Sequence, residues 1–494
     1  MNKPIRTVSI FCLLLFLALM VNATYLQYWK AGALNDNPLN RRVQVAAYSQ
    51  ERGAILVTGR DPVAESVESD DEYKFQRTYP KPLQYAPVTG YFSYFGATGI
   101  ERSTNSVLSG DDSRLFVNNF VDLISGNPPK GGNVALTINP KAQQAAYDGL
   151  SALGAGVQGS VVALEPTTGK VLAMVSLPTF DPNKLASHDL GAVNQKSKEL
   201  NADPAQPLVN RAIQTRLPPG STFKVVTAAA AIEKGLYTAD SQVPGGVTYQ
   251  LPLTNGESGQ IDNEGRSCGA NGATIPFSQA MEQSCNTTFA QIAGEVGADD
   301  MAKTAEGFGF NQDAGEFFQD LAPVADSVFP EGIDKAELGQ TGFGQFEVAA
   351  TPLQMAMVAA GLANDGSVMT PYLVDEEQSA DLNVLSKTDP EELSRAVSAN
   401  TANEVTKLMV DTVADGTASP GAIPGIDVAG KTGTAQSGID DVPPYAWYIS
   451  FAPADNPEVA VAVMIQKADI PRGEIAGGVY GGPIAKAVME AVIK

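Results

Sequence analysis

The sequence predicts an α+β fold in which helices flank an antiparallel sheet, preceded by an N-terminal mixed domain and a single transmembrane helix. Three observations lead there. Two strand pairs lie far apart, at residues 159–176 and 446–465, with helical stretches between them. One apolar run without charges occupies the N-terminus. The chain of 494 residues has room for two or three domains at roughly 100–200 residues each, and no unit of about 20–50 residues recurs, which removes solenoids and propellers.

Taken in order, residues 1–6 form a stub carrying Lys3 and Arg6, and residues 7–29 form the membrane anchor. The span from Thr7 to Trp29 contains no charge and is close to the roughly 20 residues that cross a bilayer as a helix. The preceding positive charges leave the stub in the cytoplasm and the remainder outside. A cleaved signal peptide is the competing reading, with Val21-Asn22-Ala23 as the cleavage site. Tyr25, Tyr28 and Trp29 stand where an outer aromatic belt would sit and favour an uncleaved anchor.

Residues 30–132 form a membrane-proximal domain with an acidic, disorder-like run, Glu65 to Glu72, and an aromatic cluster around Tyr79, Tyr85, Tyr91 and Phe92. The break Asn127-Pro128-Pro129-Lys130-Gly131-Gly132 is the expected linker. Residues 133–494 form the large domain. A strand at Val134–Ile138 enters a helix at Pro140. Gly159–Leu164 and Lys170–Ser176 make a hairpin about the turn Glu165–Gly169. Ala446–Phe451 and Val459–Ile465 make a second strand pair, and an amphipathic helix from Pro483 closes the chain.

Composition limits the chemistry. With 33 Lys+Arg against 55 Asp+Glu and a formal charge of −22, a general nucleic-acid surface is not expected, because phosphate binding needs clustered cations. One His and three Cys exclude the usual His/Cys zinc sites; no metal and no cofactor are expected. Cys12 reads as a small apolar residue of the membrane segment. Cys268 and Cys285 lie in the exported part, where a bridge is permitted; two separate buried thiols are the alternative. His188, in the polar Ser187-His188-Asp189, reads as a surface residue.

The most informative stretch is Pro218-Pro219-Gly220-Ser221-Thr222-Phe223-Lys224, which opens an apolar helix running to Gly235. Positions three apart share a helix face, and among the lysines only Lys224 has a serine three residues earlier. An uncharged lysine can take the proton that a serine must lose to become a nucleophile. A plain helix cap beside a surface lysine is the alternative for this pair alone. Two further motifs follow: Ser284-Cys285-Asn286, set in an apolar-periodic helix, and Lys431-Thr432-Gly433-Thr434, just before the last strand pair. Ser398-Ala399-Asn400 is a decoy for the second. Gly425–Thr432 also matches the phosphate-cradling G-x-x-x-x-G-K-[ST] pattern, but no hydrophobic strand precedes it, too little chain follows, and nucleotide binding is not expected.

Ser-x-x-Lys, Ser-x-Asn and Lys-Thr-Gly in that order are the signature of penicillin-recognising acyl transferases, and the chain resembles a class B penicillin-binding protein of the actinobacterial type. The likeness runs nearly end to end. It includes Arg52-Gly53-Ala54-Ile55, Arg77-Thr78-Tyr79-Pro80, Ser176–Asn183, Asn210-Arg211-Ala212, Thr351–Met355 and Ala363–Gly366. Two departures, the turn after Ile55 and Tyr445 where a His often precedes Ala-Trp, bear on subclass and leave the three motifs untouched.

The resemblance implies a penicillin-binding, β-lactamase-like transpeptidase domain. It implies that Ser221 attacks the D-Ala-D-Ala carbonyl of a peptidoglycan stem peptide, that Lys224 accepts its proton, and that Lys224 and Lys431 each disfavour charge on the other. Ser284 would pass a proton to the leaving amine and Asn286 would hold the substrate amide and Lys224. Lys431, Thr432, Gly433 and Thr434 would grip the terminal carboxylate, and the N–H groups of Ser221 and Thr434 would form the oxyanion hole. Cys285 is expected to pack or pair with Cys268, since no imidazole in the motifs would activate it. Expected partners are stem peptides with an acceptor amine, β-lactams, the membrane, and a membrane glycosyltransferase of the division or elongation machinery. The alternatives are a D,D-carboxypeptidase or β-lactamase, disfavoured by size, anchor and extra domain, and an idle scaffold or β-lactam sensor, disfavoured by the short stub. Residues 30–132 are too few for a glycosyltransferase domain of a bifunctional enzyme.

Overall fold

The computed structural model describes residues 3–30, 34, 45, 48–115, 130–436, 443–471 and 476–493. Met1 and Asn2 of the stub and Asn127, Pro128 and Pro129 of the expected linker lie outside the described residues. The helix Lys3–Trp29 buries none of its most apolar window and is long and apolar enough to cross a membrane. Its Thr7, Ser9 and Thr24 hydroxyls donate to carbonyls one turn back, which satisfies those groups without water.

Strands Ile55–Leu56, Pro62–Glu68 and Phe75–Thr78 pair antiparallel in succession. Half of the acidic run is therefore strand rather than disordered chain, with Glu65 to Glu68 paired against Thr78 to Phe75. Its backbone joins the ladder while Val67 and Glu68 stay exposed, so the charge opposes burial of the side chains and not pairing. Asn133–Leu136 runs parallel to Ile55–Leu56, and Val374–Gln378 pairs antiparallel with Asn133–Leu136. One sheet thus draws strands from both sides of residue 132, and Ile55, Tyr79, Val134 and Met174 belong to one continuous core.

Within this junction Glu101 is fully buried. It accepts from Arg52 Nε at 2.7 Å, Arg77 Nε at 2.6 Å and Tyr79 OH at 3.1 Å. Burial pushes its carboxyl up, and the Arg77 and Arg52 guanidiniums more than reverse that, so it stays below the ordinary carboxylate range. His188 differs from its expected surface placement. Its side chain is 11% exposed, its ring packs against Tyr48 and Tyr73, and Nδ1 meets Asp71. The polar neighbours in sequence are solvated while the imidazole turns inward to aromatic rings of the membrane-proximal part.

The central sheet contains β1 (Gln158–Leu164), β2 (Val171–Leu177), β3 (Ala429–Ala435), β4 (Tyr445–Ala452) and β5 (Val459–Lys467), in the spatial order β3-β4-β5-β1-β2 with every pair antiparallel. Both faces are covered, and the period of 2 sorts the residues between them. Val161, Ala163, Tyr448, Val461 and Val463 pack with helices Pro140–Ser151 and Gly477–Ile493. Val162, Leu164, Trp447, Ile449 and Met464 enter the larger core with the apolar helix Pro352–Ala363. The closing helix begins at Gly477 rather than at Pro483. Its first turns are poor in helix formers because they press on the sheet: a Cβ on Gly481 would lie 2.6 Å from Tyr448 Cβ.

Candidate active site

Ser221 lies in a turn of 3-10 helix, Gly220–Phe223, that leads into α1 (Lys224–Glu233). Residues Lys224 to Ile232 of α1 are all buried, so an all-round apolar helix carries its one cation into the centre of the domain. Gly220 has φ +54°, and its N–H donates to Gly344 O at 3.0 Å, which fixes the entry angle of the turn.

Ser284 was expected within one helix. It lies instead in the break between α2 (Phe277–Glu282) and α3 (Asn286–Val296), with φ +55°. The left-handed residue interrupts an otherwise continuous apolar period, and it turns both the Ser284 hydroxyl and the Ser284 carbonyl toward α1. The Sγ atoms of Cys268 and Cys285 are bonded, with Cα atoms 5.8 Å apart, tying a loop to the residue after Ser284. Ser398 caps the helix Ala399–Ala414, and Lys431 and Thr432 lie within strand β3, without the loop-to-helix transition of a phosphate cradle.

The third motif occupies β3, the edge of the central sheet. Lys431 and Gly433 share the face toward the serine turn. A Cβ on Gly433 would lie 2.9 Å from Pro219 O and 3.0 Å from Thr222 Cγ2, so only glycine lets the strand approach this closely.

Lys224 and Lys431 are each fully buried. Lys224 Nζ contacts Ser284 O at 2.7 Å, Asn286 Oδ1 at 2.7 Å and Ser284 Oγ at 3.1 Å. Lys431 Nζ donates to the same Ser284 Oγ at 2.9 Å and to Thr432 O at 3.1 Å. The Asn286 amide is oriented by Nδ2 donating to Asp262 O at 3.1 Å. Burial first, then the charges of Lys431 and Arg266, hold Lys224 well below the ordinary lysine range, with Glu264 opposing. Burial and Arg266 do the same to Lys431. A neutral amine has two N–H donors and one lone pair. In a neutral Lys224, Ser284 O and Asn286 Oδ1, which accept only, would take both donors and leave the lone pair for a hydroxyl.

The cleft outside these groups is lined by Ser221, Ser284, Asn286, Thr432 and Thr434 of the motifs, and by Glu264, Arg266, Phe343, Gln345 and Gln436. The hydroxyl of Thr417, which does not line the cleft, lies 2.9 Å from that of Thr432. None of the last six was singled out in the sequence. Arg266 had one available signal, its position two residues before a cysteine that pairs beside Ser284; Thr417 had none.

Residues 159–490 match the Penicillin binding protein transpeptidase domain, and residues 52–134 the Penicillin binding protein A dimerisation domain. The chain is 42% identical to the peptidoglycan D,D-transpeptidase PbpA of Mycolicibacterium smegmatis, covering 100% of this chain and 99% of that protein. It is likewise 42% identical to the PbpA of Mycobacterium tuberculosis H37Rv, again over 100% and 99%. The ceftriaxone acyl-enzyme complex of penicillin-binding protein A from M. tuberculosis superposes with a TM-score of 0.85 at 41% identity, covering 91% of this chain and 100% of that one. Its penicillin G acyl-enzyme complex gives 0.83 at 42%, over 90% and 100%. With the domain match, the end-to-end identity and the geometry in agreement, the chain belongs to the penicillin-binding protein transpeptidases, of class B.

Proposed function

We propose that the chain is a peptidoglycan D,D-transpeptidase working through an acyl-enzyme on Ser221. The observation that carries the reading is the Ser284 hydroxyl held between two buried lysines, 3.1 Å from Lys224 Nζ and 2.9 Å from Lys431 Nζ, in the cleft that Ser221 lines. Ser221 Oγ attacks the carbonyl between the terminal D-alanines while its proton passes to the Lys224 lone pair. The C–N bond breaks, and the leaving amine takes a proton through Ser284. An acceptor amine from a second stem peptide then attacks the ester. Its proton returns through Lys224, and Ser221 regains its hydrogen.

Lys431, with the Thr432 and Thr434 hydroxyls, binds the substrate carboxylate, and Thr417 orients Thr432. The backbone N–H groups of Ser221 and Thr434 stabilise the oxyanion, which the close approach of β3 at Gly433 supports. A β-lactam offers a carbonyl and a carboxylate at the same spacing and acylates Ser221. The helix Lys3–Trp29 is long and apolar enough for a single-pass anchor, and Lys3 and Arg6 at its start favour a catalytic domain outside the cytoplasm; the proposed partner, a membrane glycosyltransferase of the division or elongation machinery, rests on the family resemblance.

The test is product analysis with a donor pentapeptide ending in D-Ala-D-Ala, with and without an acceptor amine. Released D-alanine matched by an amine-linked product is expected. Hydrolysed tetrapeptide alone, at every amine concentration, would make the protein a carboxypeptidase. A second outcome concerns geometry. Gly433→Ala is expected to keep the fold and lower β-lactam acylation by about 10- to 100-fold, since a sub-ångström shift of the β3 donors misplaces the reacting carbonyl. Fluorescent-penicillin labelling rates alongside thermal melting check it.

A further inference from the structure

Arg266 lies outside the three motifs, between the strands Gln260–Asp262 and Thr274–Pro276, yet three links bring it to the site. Its Nε donates to Asn263 O at 2.8 Å and its Nη1 to Ser284 O at 3.1 Å. Asn263 is itself 2% exposed, accepts the Thr287 N–H at 3.0 Å and donates to Gly246 O at 2.6 Å, which anchors the loop on the first turn of α3. Cys268, two residues on, is bonded to Cys285 beside Ser284. The Ser284 carbonyl therefore holds two donors, Lys224 Nζ at 2.7 Å and Arg266 Nη1 at 3.1 Å. Ser284 is in the left-handed region, which a non-glycine residue occupies only where its surroundings hold it.

We propose that Arg266 is a positioning residue for the acyl transfer: its guanidinium holds the Ser284 peptide in the turn that sets Oγ between the lysines, and it adds a permanent positive charge beside them. The inference rests on the reading of Lys224 as the base. The charged groups that face Lys224 are Lys431 on β3 and Arg266 and Glu264 on this loop. Glu264 Oε2 accepts from Arg266 Nη2 at 2.7 Å, so the loop carries one charge of each sign. The two act on Lys224 in opposite directions. A base must be unprotonated to accept the serine proton, so the position of the acid limb of acylation reports the charge around Lys224.

The experiment measures acylation of the full-length protein by a fluorescent penicillin as a function of pH. Arg266→Gln is expected to move the acid limb to higher pH, because Lys224 then keeps its proton longer. Acylation near neutrality falls by about tenfold and recovers as the pH rises. Glu264→Gln is expected to move the limb the other way. Arg266→Lys keeps the charge and loses the planar fork between Asn263 O and Ser284 O, so its limb stays in place while its plateau drops. Loosening of the loop would lower the rate at every pH without opposite shifts from two neighbouring substitutions. Limbs that coincide with wild type, or that move together, overturn the proposal while leaving acylation of Ser221 intact. Wild-type protein that is not labelled at Ser221 overturns the reading of the site and this role with it. Should Arg266→Gln fail to fold, Glu264→Gln decides alone: an unshifted limb overturns the proposal.

Discussion

Lys224→Met is expected to slow acylation of Ser221 by a factor on the order of 10³ or more, while the protein remains folded and melts no lower than wild type. The loss follows from removing the only lysine on the serine's helix face; general-base contributions are about 10²–10⁴-fold. Asn286 Oδ1 and the Ser284 carbonyl lose a donor as well, although Arg266 still donates to Ser284 O at 3.1 Å. The stability half of the expectation comes from burial. Lys224 is 0% exposed, and its proton affinity is depressed in the folded state, chiefly by burial and then by Lys431 and Arg266.

For such a group the unfolded chain binds the proton more tightly than the folded one. Stability is therefore reduced in full below the folded pKa and is regained as pH rises toward the ordinary lysine value. An apolar side chain of similar length removes that penalty. The melting advantage of Lys224→Met should accordingly be largest at low pH and shrink as the solution becomes alkaline. Thermal melts across pH, paired with labelling rates, check both halves. A variant that labels at the wild-type rate would remove Lys224 from the mechanism, and a melting deficit at every pH would mean that the lost hydrogen bonds outweigh the relieved burial.

The arrangement couples function to instability in a definite way. Two lysines share one serine hydroxyl with, among the described residues, no carboxylate hydrogen-bonded to either, so each is costly to protonate, and under the proposed function that cost is what lets Lys224 serve as the base. The surrounding structure supplies the difference: an apolar α1 buried along Lys224 to Ile232, a sheet covered on both faces, and a junction core tied by Arg52, Arg77 and Glu101. The same junction gives the fragments Arg52–Ile55 and Arg77–Pro80 a physical role. Each brings one arginine to the fully buried Glu101 carboxylate.

Much of this was legible in the residues, for reasons that differ by element. The strand pairs around residues 159–176 and 446–465 could be read because bounded apolar runs of that length make buried strands. The spacing of Ser221 and Lys224 is local geometry and needs no tertiary knowledge. The break at Ser284 could not be read, because its left-handed backbone is imposed by partners on α1, β3 and the Arg266 loop rather than by Gly or Pro. The sheet shared across residue 132 was hidden for a related reason: Val374–Gln378 pairs with Asn133–Leu136 from more than half the domain away. His188 was misplaced because its polar neighbours are genuinely near solvent, while Tyr48 and Tyr73, which enclose its ring, lie more than a hundred residues upstream. Arg266 and Thr417 act through hydrogen bonds to motif residues, and nothing periodic marks them.

Ser221→Ala is expected to have the largest effect of any substitution. Without Oγ there is no atom to form the ester, so covalent capture disappears outright rather than slowing. The change removes one small hydroxyl from a residue that is 7% exposed, so the fold, the Lys224 contacts and the left-handed turn at Ser284 stay as they are. Cys285, in a disulfide with Cys268, supplies no competing thiolate. The most direct measurement is the mass of the protein after incubation with a penicillin, followed by mapping of the modified peptide. The account predicts one adduct, on the peptide containing Ser221, and an unmodified mass for Ser221→Ala with unchanged melting. An adduct that persists in Ser221→Ala, or that maps to another residue in the wild type, would contradict it.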